Sequence, residues 1–259
     1  MEKKFELIEE TKIVINGVAL HRIRALRDFS DVKKGDLGGW IEKEKNLSHE
    51  GDCWIYDNAC VMNDACVMND AQMFNYARMF DNARMLDNSQ MYGNAVMLDN
   101  AQMFDESCML DNSQMSGNAH MHNYSCIYND SEMSGNAQMR DNSQMYGNAQ
   151  IGGNARISGD AYIAGNGIIS KFKDIVWFSN VCSENDTLTV YKAKEGLEVT
   201  HGKFIGTDVD FLEFVKEEHG LDSEIGKKLL PMIEKARLTI SKDCDVDLLL
   251  NAENILQKF

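Results

Sequence analysis

An apolar side chain returns at every sixth position from Ile55 to Ile169. The series passes through Val61 and Val67, an unbroken run of Met from Met73 to Met121, then Ile127, Met133, Met139 and Met145, and ends in Ile151, Ile157, Ile163 and Ile169. Helices recur at about 3.6 residues and strands at about 2, so neither element keeps such a period. A small residue such as Ala59, Ala65, Ala71, Ser89, Ser107 or Ala161 stands two places before each apolar one, so small and large side chains alternate inward. Between these pairs lie dipeptides such as Asp57-Asn58, Asp81-Asn82, Gly93-Asn94 and Gly153-Asn154. Their residues tolerate the left-handed backbone that a tight corner needs. Each hexad is therefore a short strand plus a corner, and three corners close a triangular coil. Coils stacked about 4.8 Å apart build a prism roughly 30 Å long.

The side chain after each inward apolar residue points outward, and many of these are not solvent residues. Sorted by face, one column reads Tyr56, Phe74, Tyr92, Leu110, Tyr128 and Tyr146. The second reads Met62, Phe80, Leu98, Ser116, Ser134 and Gly152, and the third Met68, Leu86, Phe104, His122, Arg140 and Ser158. Soluble monomers rarely expose contiguous apolar patches above a few hundred Å². Burial against a second copy or against the flanking segments is expected, which makes Tyr56, Phe74, Tyr92, Leu110, Tyr128, Tyr146, Phe80, Leu98 and Phe104 the candidate interface. In-register stacking of like on like is the alternative account of the ladder.

The repeat, as in Ile151-Gly152-Gly153-Asn154-Ala155-Arg156-Ile157, resembles the hexapeptide repeat of left-handed parallel β-helix proteins. That architecture is shared by acyltransferases, one class of carbonic anhydrase, ice-binding proteins and pure scaffolds, so it does not name a function. Leu20-His21-Arg22-Ile23-Arg24-Ala25-Leu26, Gly35-Asp36-Leu37-Gly38-Gly39-Trp40-Ile41 and Asn46-Leu47-Ser48-His49-Glu50-Gly51-Asp52-Cys53-Trp54 resemble the lead-in of phage and prophage hexapeptide-repeat proteins. Thr200-His201-Gly202-Lys203-Phe204-Ile205-Gly206-Thr207 and the following Phe211, Phe214, Val215 and His219-Gly220 resemble the C-terminal module of that group. The chain departs from it at Lys203, where members often carry Cys. The resemblance implies phage descent and no particular reaction.

The expected fold is mainly β: an N-terminal β cap over residues 1–52, a left-handed parallel β-helix of eighteen-residue coils over 53–170, and a small C-terminal α+β module over 171–259. Within the cap, Ile13, Ile15, Val18, Leu20, Ile23 and Leu26 read as short strands about an Asn16-Gly17 turn, and Gly35, Gly38 and Gly39 as bends before Trp40. In the module, residues 175–178, 187–193 and 197–205 read as strands. Thr207 caps one helix, Asp222 or Ser223 a second that Pro231 interrupts or kinks, and residues 246–259 form a last amphipathic segment.

The formal charge of −15 excludes phosphate-driven binding of nucleic acid, which demands Lys and Arg. Residues 52–170, with no Lys and four Arg, carry net −10 of that charge, and Asp70, Asp87, Asp105, Glu106, Asp141 and Asp160 fall along one edge. Turn chemistry explains them; an acidic ridge that attracts a basic partner is the sharper reading. The N-terminus leads into alternating residues rather than a long apolar run, which reads as neither leader nor membrane span and points to the cytoplasm of a bacterial host cell. Seven cysteines in that setting are expected to be reduced. Cys108 and Cys126 nevertheless share a column one coil apart, close enough for a bridge.

Catalytic candidates are few. His120 and His122 are spaced by two on one strand and suit a base with its helper, or two metal ligands, but no Cys or carboxylate in their columns completes a set. His201 and His219 read as structural, and no metal or cofactor is expected. Ice binding is excluded because the prism has no Thr, and a phosphate loop because no Gly-Lys-Ser/Thr follows its glycines. The sequence therefore reads as a non-enzymatic, homo-oligomeric, phage-derived β-helix that sequesters or blocks a host protein or small signalling molecule, with a counter-defence role. An acyltransferase with an intersubunit pocket and a structural or virion-associated scaffold are the alternatives.

Overall fold

The computed structural model describes residues 2–182 and 186–241. Its body is the expected three-sided parallel β-helix. Two-residue rungs, each one outward residue followed by the inward apolar one, stack on three faces as seven, seven and six strands, and three N-terminal strands extend one of these sheets to ten. Every rung pairs in register with residues eighteen positions away, as Gln90 does with Gln72 and Cys108, and Met91 with Met73 and Met109. Ladder bonds such as Tyr92 N–H to the Met109 carbonyl at 2.9 Å tie each coil to the next.

Corner chemistry explains the repeat. The first residue of nearly every corner dipeptide has a positive φ between 53° and 76°, whether it is Asp57, Asn63, Asp81, Asp111 or Gly147. Where it is Asp or Asn, its carboxylate or amide oxygen then accepts the backbone N–H of the equivalent corner in the next coil, as Asp99 does from Gly117 at 2.9 Å. The second corner residues form an amide ladder in which Asn82, Asn100, Asn118, Asn136 and Asn154 hand one hydrogen bond to the next. Asn and Asp recur here because they tolerate the left-handed region and carry an oxygen for the neighbouring coil.

The interior is one continuous core. The inward Met and Ile and the small residues beside them are buried from Ile55 to Ile169. Ser125 and Ser143 donate to the carbonyls of His122 and Arg140 at 2.8 Å. Ser89, Ser107 and Ser113 are equally buried, yet their hydroxyls have no partner among the described residues.

At the N-terminal end, strands Phe5–Ile15 and Val18–Ala25 form a hairpin about Asn16 and Gly17. Strand Leu37–Ile41 pairs antiparallel with the hairpin and parallel with the rung Cys60–Val61. Gly38 and Gly39 therefore lie inside a strand, not in bends before it: a Cβ on Gly39 would stand 2.4 Å from the Ala59 carbonyl oxygen, so only glycine lets the chain enter the stack. Beneath the first coil the Lys4 ammonium is wholly buried and donates to the carbonyls of Gly51 at 3.1 Å and Cys53 at 2.8 Å. Burial holds its pKa down.

The C-terminal module is a four-stranded antiparallel sheet covered by two helices with its own core. Strands Ile175–Ser179, Thr187–Lys192, Leu197–His201 and Phe204–Thr207 run in chain order. The single strand expected over 197–205 is thus two, split by Gly202 with φ 56°. Helix Asp208–Glu218 starts at Thr207, whose hydroxyl accepts from Asp210 N–H at 3.1 Å. Helix Glu224–Ser241 buries Leu229, Ile233, Ala236 and Ile240, and Ser223 Oγ accepts from Gly226 N–H at its start. It runs through Pro231 without interruption. Pro231 is exposed, so the carbonyl it leaves unpaired lies on the wet side of the helix. The amphipathic segment expected at 246–259 lies outside the described residues.

Candidate functional site

The aromatic ladder forms as ordered stacks. Tyr56, Phe74 and Tyr92 have ring centroids 4.5 Å apart and near-parallel planes, and Tyr128 and Tyr146 stand 4.7 Å apart. Parallel coils place each ring over the next, as in-register stacking predicts. Phe74, Tyr92, Leu110, Tyr128, Phe80, Leu98 and Phe104 are half-buried by their neighbours alone, and only Tyr146 is exposed, at 39%. Flanking segments cover the start of the columns. Met62 packs under Ile13, Ile15, Val18 and Trp40 of the N-terminal strands, and the Tyr56 hydroxyl donates to Asp31 at 2.7 Å.

The hairpin's lie against the prism leaves a cleft of about 470 Å³, lined by Ile13, Ile15, Trp40, Asn58, Cys60, Tyr76, Arg78 and Asn94. No periodic signal marks it, since its two walls come from segments folded onto each other.

His120 and His122 sit side by side on an open face with ring centroids 6.1 Å apart. His122 stacks on Phe104 at 4.7 Å, so the pair continues a ring ladder. Partial burial, reinforced by the charge of Arg140, lowers both imidazole pKa values and favours the neutral rings. No hydrogen bond joins either ring to a carboxylate or thiol among the described residues.

Along the acidic edge most carboxylates are engaged in corners. Asp70 accepts Asp52 N–H at 2.8 Å, Asp105 accepts Asn123 N–H at 2.9 Å and Asp141 accepts Gly159 N–H at 2.9 Å. Asp87 and Asp160 accept side-chain amides from Asn69 and Asn142, and Glu106 is exposed.

Two cysteine arrangements depart from the expectation of reduced, packed thiols. Cys108 and Cys126 form a disulfide between adjacent rungs, with Cα atoms 4.6 Å apart, because exact register sets like residues side by side. Cys53, Cys60, Cys66 and Cys182 are free. Cys182, Asp186 and His201 come together at one end of the C-terminal sheet, their donor atoms all within 4.8 Å of one another. They lie far enough apart in sequence that no spacing motif announces them.

No family model matches the chain. It is similar to a protein named as an uncharacterized acetyltransferase, YdcK, of Escherichia coli (strain K12), at 39% identity over 66 residues. The match covers 23% of this chain and 20% of YdcK. With the stacked coils, this supports a hexapeptide-repeat β-helix. Among the described residues no helix is long and apolar enough to cross a membrane.

Proposed function

We propose that this chain is a non-catalytic binding protein that self-associates through its ringed face and sequesters a partner. The lead-in and C-terminal resemblances to phage proteins make a host component the partner class, with counter-defence as the role. The observation that carries the non-catalytic reading is the setting of His120 and His122: both are half-buried, stacked with Phe104, and among the described residues no carboxylate or thiol is bonded to either ring. A general base needs its proton donor within hydrogen-bond reach and a partner to orient it. Light scattering on the purified chain is expected to give a mass above that of one copy, and a Phe74→Asp, Tyr92→Asp variant to return it to the monomer. Calorimetry with acetyl-CoA is expected to show no heat of binding.

The second reading is acyl transfer, favoured by the similarity to YdcK and by imidazoles whose neutral form is the one a base requires. Acetyl-CoA binding that disappears in His122→Ala would establish it in place of the first.

A further inference from the structure

We propose that Cys182, Asp186 and His201 form a binding site for a borderline-soft divalent cation of the zinc class. The site is independent of the self-association reading. Register brings its parts together. Ser179 pairs with Thr187 and Leu188 with His201, so the end of strand Ile175–Ser179, the start of Thr187–Lys192 and the end of Leu197–His201 meet at one edge of the sheet. Cys182 follows the first strand, Asp186 immediately precedes the second and His201 closes the third.

The donor set is sulfur, oxygen and nitrogen, which suits zinc rather than the all-oxygen shells of calcium or magnesium. A tetrahedral ion about 2.0 Å from nitrogen and oxygen and about 2.3 Å from sulfur holds its ligand atoms roughly 3.3–3.6 Å apart. Here the three donor atoms already lie within 4.8 Å of one another, and His201 Nε2 stands 3.0 Å from Asp186 Oδ2. Small side-chain adjustments reach the ligand geometry.

A second observation points to a ligand. The His201 side chain is nine-tenths buried, its ring packed edge-on against Phe211 at 5.7 Å. Its Nε2 is shielded from solvent and makes no hydrogen bond of acceptable geometry, although the Asp186 carboxylate is close. Thr187 Oγ1 beside it is likewise buried and unpartnered. An imidazole and a carboxylate that approach without aligning as donor and acceptor are arranged as neighbouring ligands around a common point. Such buried polar groups are costly unless something satisfies them.

Three protein ligands leave a fourth position, as in zinc sites that bind an exogenous group. Next to it lies a cavity of about 170 Å³ lined by Asp160, Tyr162, Asp186, Thr187, Thr200, His201 and Gly202. That cavity lies between the last coil and the C-terminal sheet, with room for water or a small oxygen ligand.

The test is cobalt(II) titration of the full chain after chelator treatment, under reductant, followed by displacement with zinc. The expected result is one equivalent bound with a thiolate-to-cobalt charge-transfer band in the near ultraviolet. Cys182→Ser, at an exposed position that leaves folding intact, is expected to abolish the band and weaken zinc binding by at least about tenfold. His201→Gln is expected to weaken it similarly, and a His120→Gln, His122→Gln variant to bind as the parent does. A parent protein without the band, a band retained in Cys182→Ser, or binding lost with His120 and His122 would overturn the proposal.

Discussion

The Tyr191 hydroxyl closes the last coil by bonding twice to Ala164: it accepts the Ala164 N–H at 3.0 Å and donates to the Ala164 carbonyl at 3.3 Å. Thr189 and Thr200 do the same for Tyr162, accepting its N–H at 3.2 Å and donating to its carbonyl at 2.6 Å, and Glu198 accepts Asn166 N–H at 3.2 Å. Side chains of the C-terminal sheet thus stand where the next coil's backbone would, and the open ladder edge that would recruit another chain is occupied.

Tyr191→Phe keeps the packing and strands both Ala164 groups in a buried place. Urea unfolding is expected to show a loss of about 2–4 kcal/mol. Hydrogen exchange should quicken first at Ala164 and in the last coil, and leave the first coils unchanged.

The Cys108–Cys126 disulfide closes an eighteen-residue loop, one full coil. In oxidising buffer Cys108→Ser is expected to cost about 3 kcal/mol of stability. Under reductant the variant and the parent should unfold together, and mass analysis after alkylation reports which state each sample holds.

Buried serines should divide into two kinds. Replacing Ser89, Ser107 or Ser113 by Ala removes an unpartnered hydroxyl and is expected to raise stability by about 1 kcal/mol each. Ser125→Ala removes a bond to the His122 carbonyl and is expected to lower it by about 1 kcal/mol. Thermal melts of the four single variants check the opposite signs.

Acid should weaken the prism through its histidine pair. Burial lowers the folded pKa of His120 and His122 below the unfolded value of 6.5, so the unfolded chain takes up protons first. The stability they contribute is complete above that value and is lost as the pH falls through their lower folded pKa values. Melting temperature followed from pH 8 to about 5 should fall less steeply in a His120→Gln, His122→Gln variant than in the parent.

The prism was legible because its period, corner residues and inward columns are local and repeat without error. Met91 shows it: with Met73 below and Met109 above, its place follows from counting by eighteen. The shared column of Cys108 and Cys126 was legible for the same reason, whereas their bonding was not, since compartment argued against it. The stacking of Phe74 and Tyr92 was legible as a column, but not how much of each ring its neighbours would cover.

What the chain's own sequence determined, then, is the coil: the identity of Asp57, Ala59 and Val61 dictates corner, gap and core, because each acts through its immediate neighbours and its counterparts one coil away. What only the tertiary structure decided is everything that depends on segments without a common period meeting in space. The fold of the hairpin over Met62, the Tyr191 closure of Ala164 and the meeting of Cys182, Asp186 and His201 all come from aperiodic chain laid against the ends of a periodic body, where register between strands, rather than spacing along the sequence, sets which side chains touch.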